Sequence, residues 1–334
     1  VLRIATVVLA FFALPMEAIR VGLRALFGLK THPAWSLRHE LLFGVARRMS
    51  ACAIGLPPGD FKRAVMGPPK VWQPLGIPVT HGEIAGRPVE TLTPPGWDGT
   101  RQILYLHGGG YAFGSPATHR RIIAGIALRT QHRVVALDYR MGPEDPFPAG
   151  LDDARATWDF LRQTRDAGDL AVAGDSAGGG LALALMLQLR DDGEPLPRCA
   201  AVMSPWVDLT VSSPTIASAA HADYLPPSLL DAFAGAYAGQ TDRTHPLVSP
   251  IYADLTGLPP ILAQCGGAEA LSWEVEEFVR RAADAGVDAR LDRADAMIHV
   301  FQAFEDLLPE GREAMQRFAG FLRHARPADD PWEP

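Results

Sequence analysis

Clustered charge of one sign is scarce in this sequence. Its 334 residues carry 31 lysines and arginines against 38 acidic residues, a net charge of −7, and no continuous basic run. That balance excludes a general nucleic-acid-binding surface. Cysteine is also scarce. Cys52, Cys199 and Cys265 are far apart and odd in number, so they make neither a disulfide framework nor a zinc site and fit a reducing, cytoplasmic compartment. Cys199 and Cys265 stand in apolar runs, where a thiol behaves as a small buried hydrophobe. Nothing in the pattern calls for a metal or other cofactor. Long apolar runs are missing too. The uncharged stretch from Ile4 to Met16 is thirteen residues long and ends near Pro15, short for a membrane span. Arg3 before it resembles the start of a secretory signal, but no small-x-small cleavage site follows. No internal repeat is visible.

Hydrophobic residues make up 48% of the chain and charged residues 21%, an ordinary globular balance. The length suits one large α/β domain with a smaller appendage, or two domains. Glu17, Arg20 and Arg24 share one face of an amphipathic helix whose other positions are apolar. This N-terminal stretch, residues 1–30, either docks on the body as part of a lid or lies in a membrane interface. A second helix is expected from Trp35 to Ala53, and Pro57 to Pro74 read as an irregular linker.

Beyond the linker, Ile77–Glu83 and Arg87–Thr93 alternate as a hairpin around Ala85-Gly86. Strands follow at Gln102–Leu106, Val134–Leu137, Leu170–Ala173, Cys199–Met203, Ile261–Cys265 and Val287–Asp292. Helices fall between them: one capped by Thr118 and reaching Thr130, then Leu151–Arg162, Leu181–Leu189 and Ser272–Ala285. A last helix covers Phe301–Arg323, and the tail after Arg326 reads as disordered. Between Pro205 and Pro259 lies a helical, proline-punctuated insert. Strands alternating with helices mean a mostly parallel sheet covered on both faces.

One stretch organises the rest, Leu170-Ala-Val-Ala-Gly-Asp-Ser-Ala-Gly-Gly-Gly180. A charge-free strand runs into G-x-S-x-G and then into a Leu/Ala-rich helix. In that context the pattern marks a sharp turn that lifts the Ser176 hydroxyl clear of a sheet. A glycine-rich connection with a capping serine is the plainer reading of the pentapeptide alone.

The rest of the chain favours chemistry. Acyl transfer needs a nucleophile, a base, an acid to orient the base, and donors for the developing oxyanion. Ser176 is the nucleophile. His299, between the last strand and the last helix, is the base. His107-Gly108-Gly109-Gly110-Tyr111 follows a strand. The backbone N–H groups of Gly108 and Gly109, with that of Ala177, are the expected oxyanion donors. His107, Gly110 and Tyr111 are expected to contact substrate. The acid should follow the strand ending at Cys265. Glu269 is the first carboxylate there, whereas Glu274 lies inside a helix and should point to solvent.

These motifs together resemble the hormone-sensitive lipase family of α/β-hydrolases, the bacterial esterases with an HGGG motif. The resemblance rests on Gly-Asp-Ser176-Ala-Gly-Gly, His107-Gly-Gly-Gly and Asp138-Tyr-Arg…Pro-Glu-Asp-Pro-Phe-Pro148. Ser204-Pro-Trp-Val-Asp-Leu and Met297-Ile-His also match. The resemblance covers roughly residues 75 to 325. It implies an α/β-hydrolase fold whose cap is built from N-terminal helices, residues 1–60, plus an insert at about 207–250. It also implies hydrolysis of short- to medium-chain carboxylic esters through an acyl-enzyme, without a cofactor. Many members carry Asp-Pro-Leu where this chain has Glu269-Ala-Leu. Acyl transfer to another acceptor would use the same apparatus. Plant gibberellin receptors resemble the family but lack the catalytic histidine, which this chain retains. The expected partner is a small-molecule ester. A peripheral membrane contact through residues 1–30 and a homodimer are compatible with the sequence.

Overall fold

The computed structural model describes residues 17–24, 26–53, 76–219 and 223–325. The proline-rich linker, most of the apolar start and the expected disordered tail lie outside the described residues. Residues 17–24 are helical (α1), and α2 covers Leu37–Ala53. The hairpin β1 (Val79–Ile84) and β2 (Arg87–Leu92) opens the sheet. Then come β3 (Gln102–Leu106), α3 (Pro116–Thr130), β4 (Arg133–Leu137) and α4 (Ala149–Arg162). They are followed by β5 (Leu170–Asp175), α5 (Ser176–Asp191) and β6 (Ala200–Met203). The insert holds α6 (Pro214–Ser218) and α7 (Pro227–Ala238). β7 (Ile261–Gly266), α8 (Ser272–Asp284), β8 (Ala289–Ala294) and α9 (Pro309–His324) complete the order.

The eight strands form one sheet in the order β1-β2-β4-β3-β5-β6-β7-β8. β1 pairs antiparallel with β2, and β2 antiparallel with β4, while every later pairing is parallel. The period-2 pleat sends neighbouring side chains to opposite faces. In β3, Leu104 and Leu106 join one core with α4, α5 and α8, through Leu151, Trp158, Leu181 and Phe278. Ile103 and Tyr105 join the other with α3 and α9, through Ile122, Ile126, Met315 and Phe318. Both faces of the central strands are therefore dry, which explains their unbroken apolar runs.

The helix expected at Leu181–Leu189 starts at Ser176, the strand expected at Val287–Asp292 is Ala289–Ala294, and two further boundaries are corrected with a local cause. Ser115, not Thr118, caps α3, and Thr118 is the reciprocal member of a capping box. Its position three residues inside the helix is where that motif places the second partner. The expected last helix is two pieces, a 3-10 turn at Phe301–Phe304 and then α9. Proline cannot donate within a helix, and Pro309 restarts the chain at a first helical position instead.

Candidate active site

The parallel strands deliver their carboxyl ends to one edge, where chemistry in open α/β sheets is assembled. β5 is buried throughout, and α5 begins at Ser176 itself. Ser176 has φ of +52°, a left-handed conformation that costs a non-glycine residue and here sits at the tip of the turn. Gly178 makes this possible. A Cβ there would run into the carbonyls of Leu106 and His107 at the end of β3. Only a bare Cα lets α5 start against the neighbouring strand.

His299 Nε2 stands 2.9 Å from Ser176 Oγ. On its far side, Nδ1 faces Glu269 Oε1 at 3.7 Å. That is longer than a hydrogen bond, yet neither atom has another hydrogen-bond partner. Such pairs often tighten only when substrate is present. Burial acts to lower the pKa of His299, but the carboxylates of Glu269, Asp223 and Asp175 outweigh it and hold the value above the ordinary one. The three residues expected as nucleophile, acid and base are thus brought together in the expected order.

Residues that sequence reasoning left without a role hold this pair in place. Ser204 Oγ donates to Glu269 Oε2 at 2.8 Å and accepts from Val300 N at 3.1 Å. It is fully buried and ties the acid to the loop of the base. Gly266 N donates to the same Glu269 oxygen at 2.8 Å. From the insert, Asp223 Oδ2 accepts from Ala270 N at 2.7 Å, and Tyr224 Oη donates to the His299 carbonyl at 3.0 Å. A polar residue ending an apolar strand, as at Ser204, was the available signal. Asp223 and Tyr224 gave none.

The oxyanion loop brings one correction. Gly108 N donates to Asp175 Oδ1 at 3.0 Å, so it is already committed and cannot serve an oxyanion as expected. Asp175 Oδ1 also accepts from Tyr105 Oη, and Oδ2 lies 3.4 Å from His119 Nε2. Burial acts to raise the Asp175 pKa, but His119 and Tyr105 prevail and hold it below the usual value. The residue before Ser176 is therefore an anion that pins the glycine loop after β3. Gly109 and Gly110 follow with φ of +121° and +59°, and a Cβ on Gly109 would strike the Phe113 carbonyl. Ala177 lies in the first turn of α5, where helical N–H groups have no partner within the helix.

His107 and Tyr111 also differ from expectation. Both side chains are buried, not displayed to a substrate. The His107 ring stacks on Tyr139 at 4.4 Å, and Tyr111 stacks on Tyr237 of α7 at 3.7 Å. They shape the loop from behind. Gly110 lies against the Phe233 ring of α7, where a Cβ would clash.

Glu274 is the largest surprise. It does not point to solvent but is fully buried. Its Oε1 accepts from Val207 N at 2.9 Å and Asp208 N at 3.1 Å. Burial, then the nearby Asp208, pushes its carboxyl well above the usual range. The inward stripe Glu274, Val275, Phe278 and Ala282 of α8 shows that helical periodicity placed it inside all along. Among the described residues no cluster of His, Cys, Asp and Glu is disposed to hold a metal ion.

Comparison with known proteins bears on the family and the fold. A family model described as the alpha/beta hydrolase fold matches residues 103–303. An acetyl-hydrolase of Streptomyces hygroscopicus is 39% identical over 274 residues, covering 81% of this chain and 85% of its own. An esterase of Acinetobacter venetianus is 35% identical over 226 residues, covering 66% of this chain and 74% of its own. The crystal structure of an esterase from the bacterial hormone-sensitive lipase family superposes with a TM-score of 0.81 at 38% identity. That match covers 87% of this chain and 99% of the other. The chain belongs to the alpha/beta hydrolase family, within the esterases of the bacterial hormone-sensitive lipase type, and is a carboxylic ester hydrolase.

Proposed function

We propose that the protein is a serine carboxylesterase that works through an acyl-enzyme on short- to medium-chain esters. The observation that carries this reading is the Ser176–His299–Glu269 alignment, with His299 within hydrogen-bond reach of the Ser176 hydroxyl. His299 Nε2 takes the hydroxyl proton as Oγ attacks the ester carbonyl carbon. The imidazolium so formed is stabilised by Glu269 and returns the proton to the leaving alcohol. Water then attacks the acyl-enzyme with His299 again as base, releasing the acid and restoring Ser176. Gly109, Gly110 and Ala177 are the donors proposed for the oxyanion, since the Gly108 N–H is occupied. A preorganised set of backbone donors stabilises charge that appears only in the transition state.

The insert and the N-terminal helices are proposed as the cap. α7 sits directly over the oxyanion loop through Phe233 and Tyr237. Phe113 and Phe233, with ring centroids 5.6 Å apart, crowd the space beside Gly110. That crowding supports short acyl chains over long ones.

The test is turnover of chromogenic acetate, butyrate and octanoate esters by the wild type and by Ser176→Ala. The variant should remain folded and lose about 10⁴-fold or more in kcat. A fluorophosphonate probe should add its mass to the tryptic peptide holding Ser176 in the wild type alone. Substantial turnover by folded Ser176→Ala would refute the assignment.

A further inference from the structure

Exposed apolar surface is concentrated at one place among the described residues. Of eleven large apolar side chains that are exposed, six lie between residues 19 and 37: Ile19, Leu23, Leu26, Phe27, Leu29 and Leu37. Ile19, Leu23, Leu26 and Phe27 recur at helical spacing and share one face of α1 and its continuation. Leu26 and Phe27 are 81% and 77% exposed.

The outward direction of this face is imposed from the other side of the helix. Glu17 is buried and accepts from Arg48 Nε on α2 at 2.7 Å and from Arg20 Nε at 2.7 Å. It rests on Gly44, where any Cβ would collide with the carboxylate. Val21 is buried next to it. Rolling α1 to hide its leucines would pull a paired carboxylate out of its seat and leave the charge unmatched, a costly exchange.

Charge adds a second, independent observation. Arg20, Arg24, Lys30, Arg38, Arg47 and Arg48 stand in this stretch against only Glu17 and Glu40. Both carboxylates are buried, so the surface is basic in a chain whose net charge is −7. Two copies of such a face would repel one another across a two-fold contact, where each patch meets itself.

We propose that this face docks on a lipid bilayer that displays anionic headgroups. The leucines and Phe27 enter the headgroup–acyl boundary while the arginines meet the phosphates. The uncharged run Ile4–Met16 leads directly into the same helix in sequence. No described helix is long and apolar enough to cross a membrane; the proposed mode is lying on the surface. The docked element also stands against the catalytic side. Trp35 donates through Nε1 to the Ala296 carbonyl, and with Phe43 it packs on Met297 and Ile298, directly before His299. On the esterase reading, this brings the site close to esters dissolved in the bilayer. The binding itself does not depend on that reading.

The test is co-sedimentation of the full chain with vesicles of phosphatidylcholine alone and of phosphatidylcholine with phosphatidylglycerol. At low salt the anionic vesicles should bind at least about tenfold more tightly than the neutral ones, and added salt should weaken the binding. Leu26→Glu/Phe27→Glu should reduce binding by about tenfold or more. Both side chains are exposed, so circular dichroism and the thermal midpoint should match the wild type. Absence of binding to anionic vesicles, or binding undiminished in the double variant, would overturn the proposal. So would a halved molar mass of the double variant in light scattering, which would make this face a contact between copies.

Discussion

The two halves of the site are built by different means. On the Ser176 side, the Gly178 turn meets the β3 carbonyls backbone to backbone, and Gly108 N is held by the Asp175 carboxylate. The residues involved lie within two short motifs. On the other side, Glu269 and His299 are held by Gly266 N and by side chains from elsewhere. Ser204 comes from the end of β6, and Asp223 and Tyr224 come from the insert. The Gly178 contact leaves no slack, because a backbone atom cannot step aside. The other side has adjustable parts, and the 3.7 Å gap between Glu269 and His299 is where the slack appears. The difference predicts that a substitution on the Ser176 side costs fold and activity together, and one on the other side costs activity alone.

The comparison breaks hardest at Gly178. Gly178→Ala should lose activity and stability together, by about 1–3 kcal/mol in urea unfolding, because the new methyl meets carbonyls rather than a flexible side chain. A fully stable and active variant would show that the turn can relax. On the other side, Glu269→Gln should lower kcat by roughly 10²–10⁴ with an unchanged unfolding midpoint. A drop in stability of the same size as for Gly178→Ala would erase the distinction.

Glu274 and Ser204 sharpen it. Glu274 holds its proton well above the usual carboxylate range, so Glu274→Gln keeps a neutral side chain that still accepts from Val207 and Asp208. Its kcat should stay near the wild-type value. Glu274→Ala would leave two buried donors unmet and should cost about 1–3 kcal/mol of stability. Ser204→Ala removes the tie between acid and base. It should lower kcat by about tenfold with KM nearly unchanged, a split that a general loss of folding would not produce. Ser204→Thr should restore part of it, since the hydroxyl is kept.

The smallest effect belongs to Asp223. Burial pushes its carboxyl up to about 6, so above that pH it is an anion facing His299. Asp223→Asn keeps an acceptor for Ala270 N and removes the charge. With less negative charge near it, the imidazolium is less stabilised and the His299 pKa falls. The acid limb of kcat/KM, which requires neutral His299, should move to lower pH. An acid limb that stays put or moves up would show that Asp223 acts only through its hydrogen bond.

Much of this was legible in the sequence for a plain reason. Alternating and continuous apolar runs report burial, and burial on both faces means a parallel sheet. Glycine patterns likewise report backbone approaches, so Gly174-x-Ser176-x-Gly178 and the glycines after His107 announced the nucleophile side. What the pattern could not assign was which N–H of the oxyanion loop remains free. Gly108 and Gly109 are alike in sequence, and only the arrival of Asp175 beside β3 distinguishes them.

Chain order and loop position pointed to Ser176, Glu269 and His299, which the fold brings together, because each stands just beyond a strand and the strands are short-range objects. Tertiary structure decided the rest. Glu269 and Glu274 are both fully buried, and their different roles come from what reaches them: Ser204 and His299 for one, the amides of Val207 and Asp208 for the other. Ser204 lies 65 residues from Glu269, and Val207 lies 67 from Glu274. A side chain's protonation and orientation depend on groups within a few ångströms, and over such separations only the folded chain specifies which groups those are.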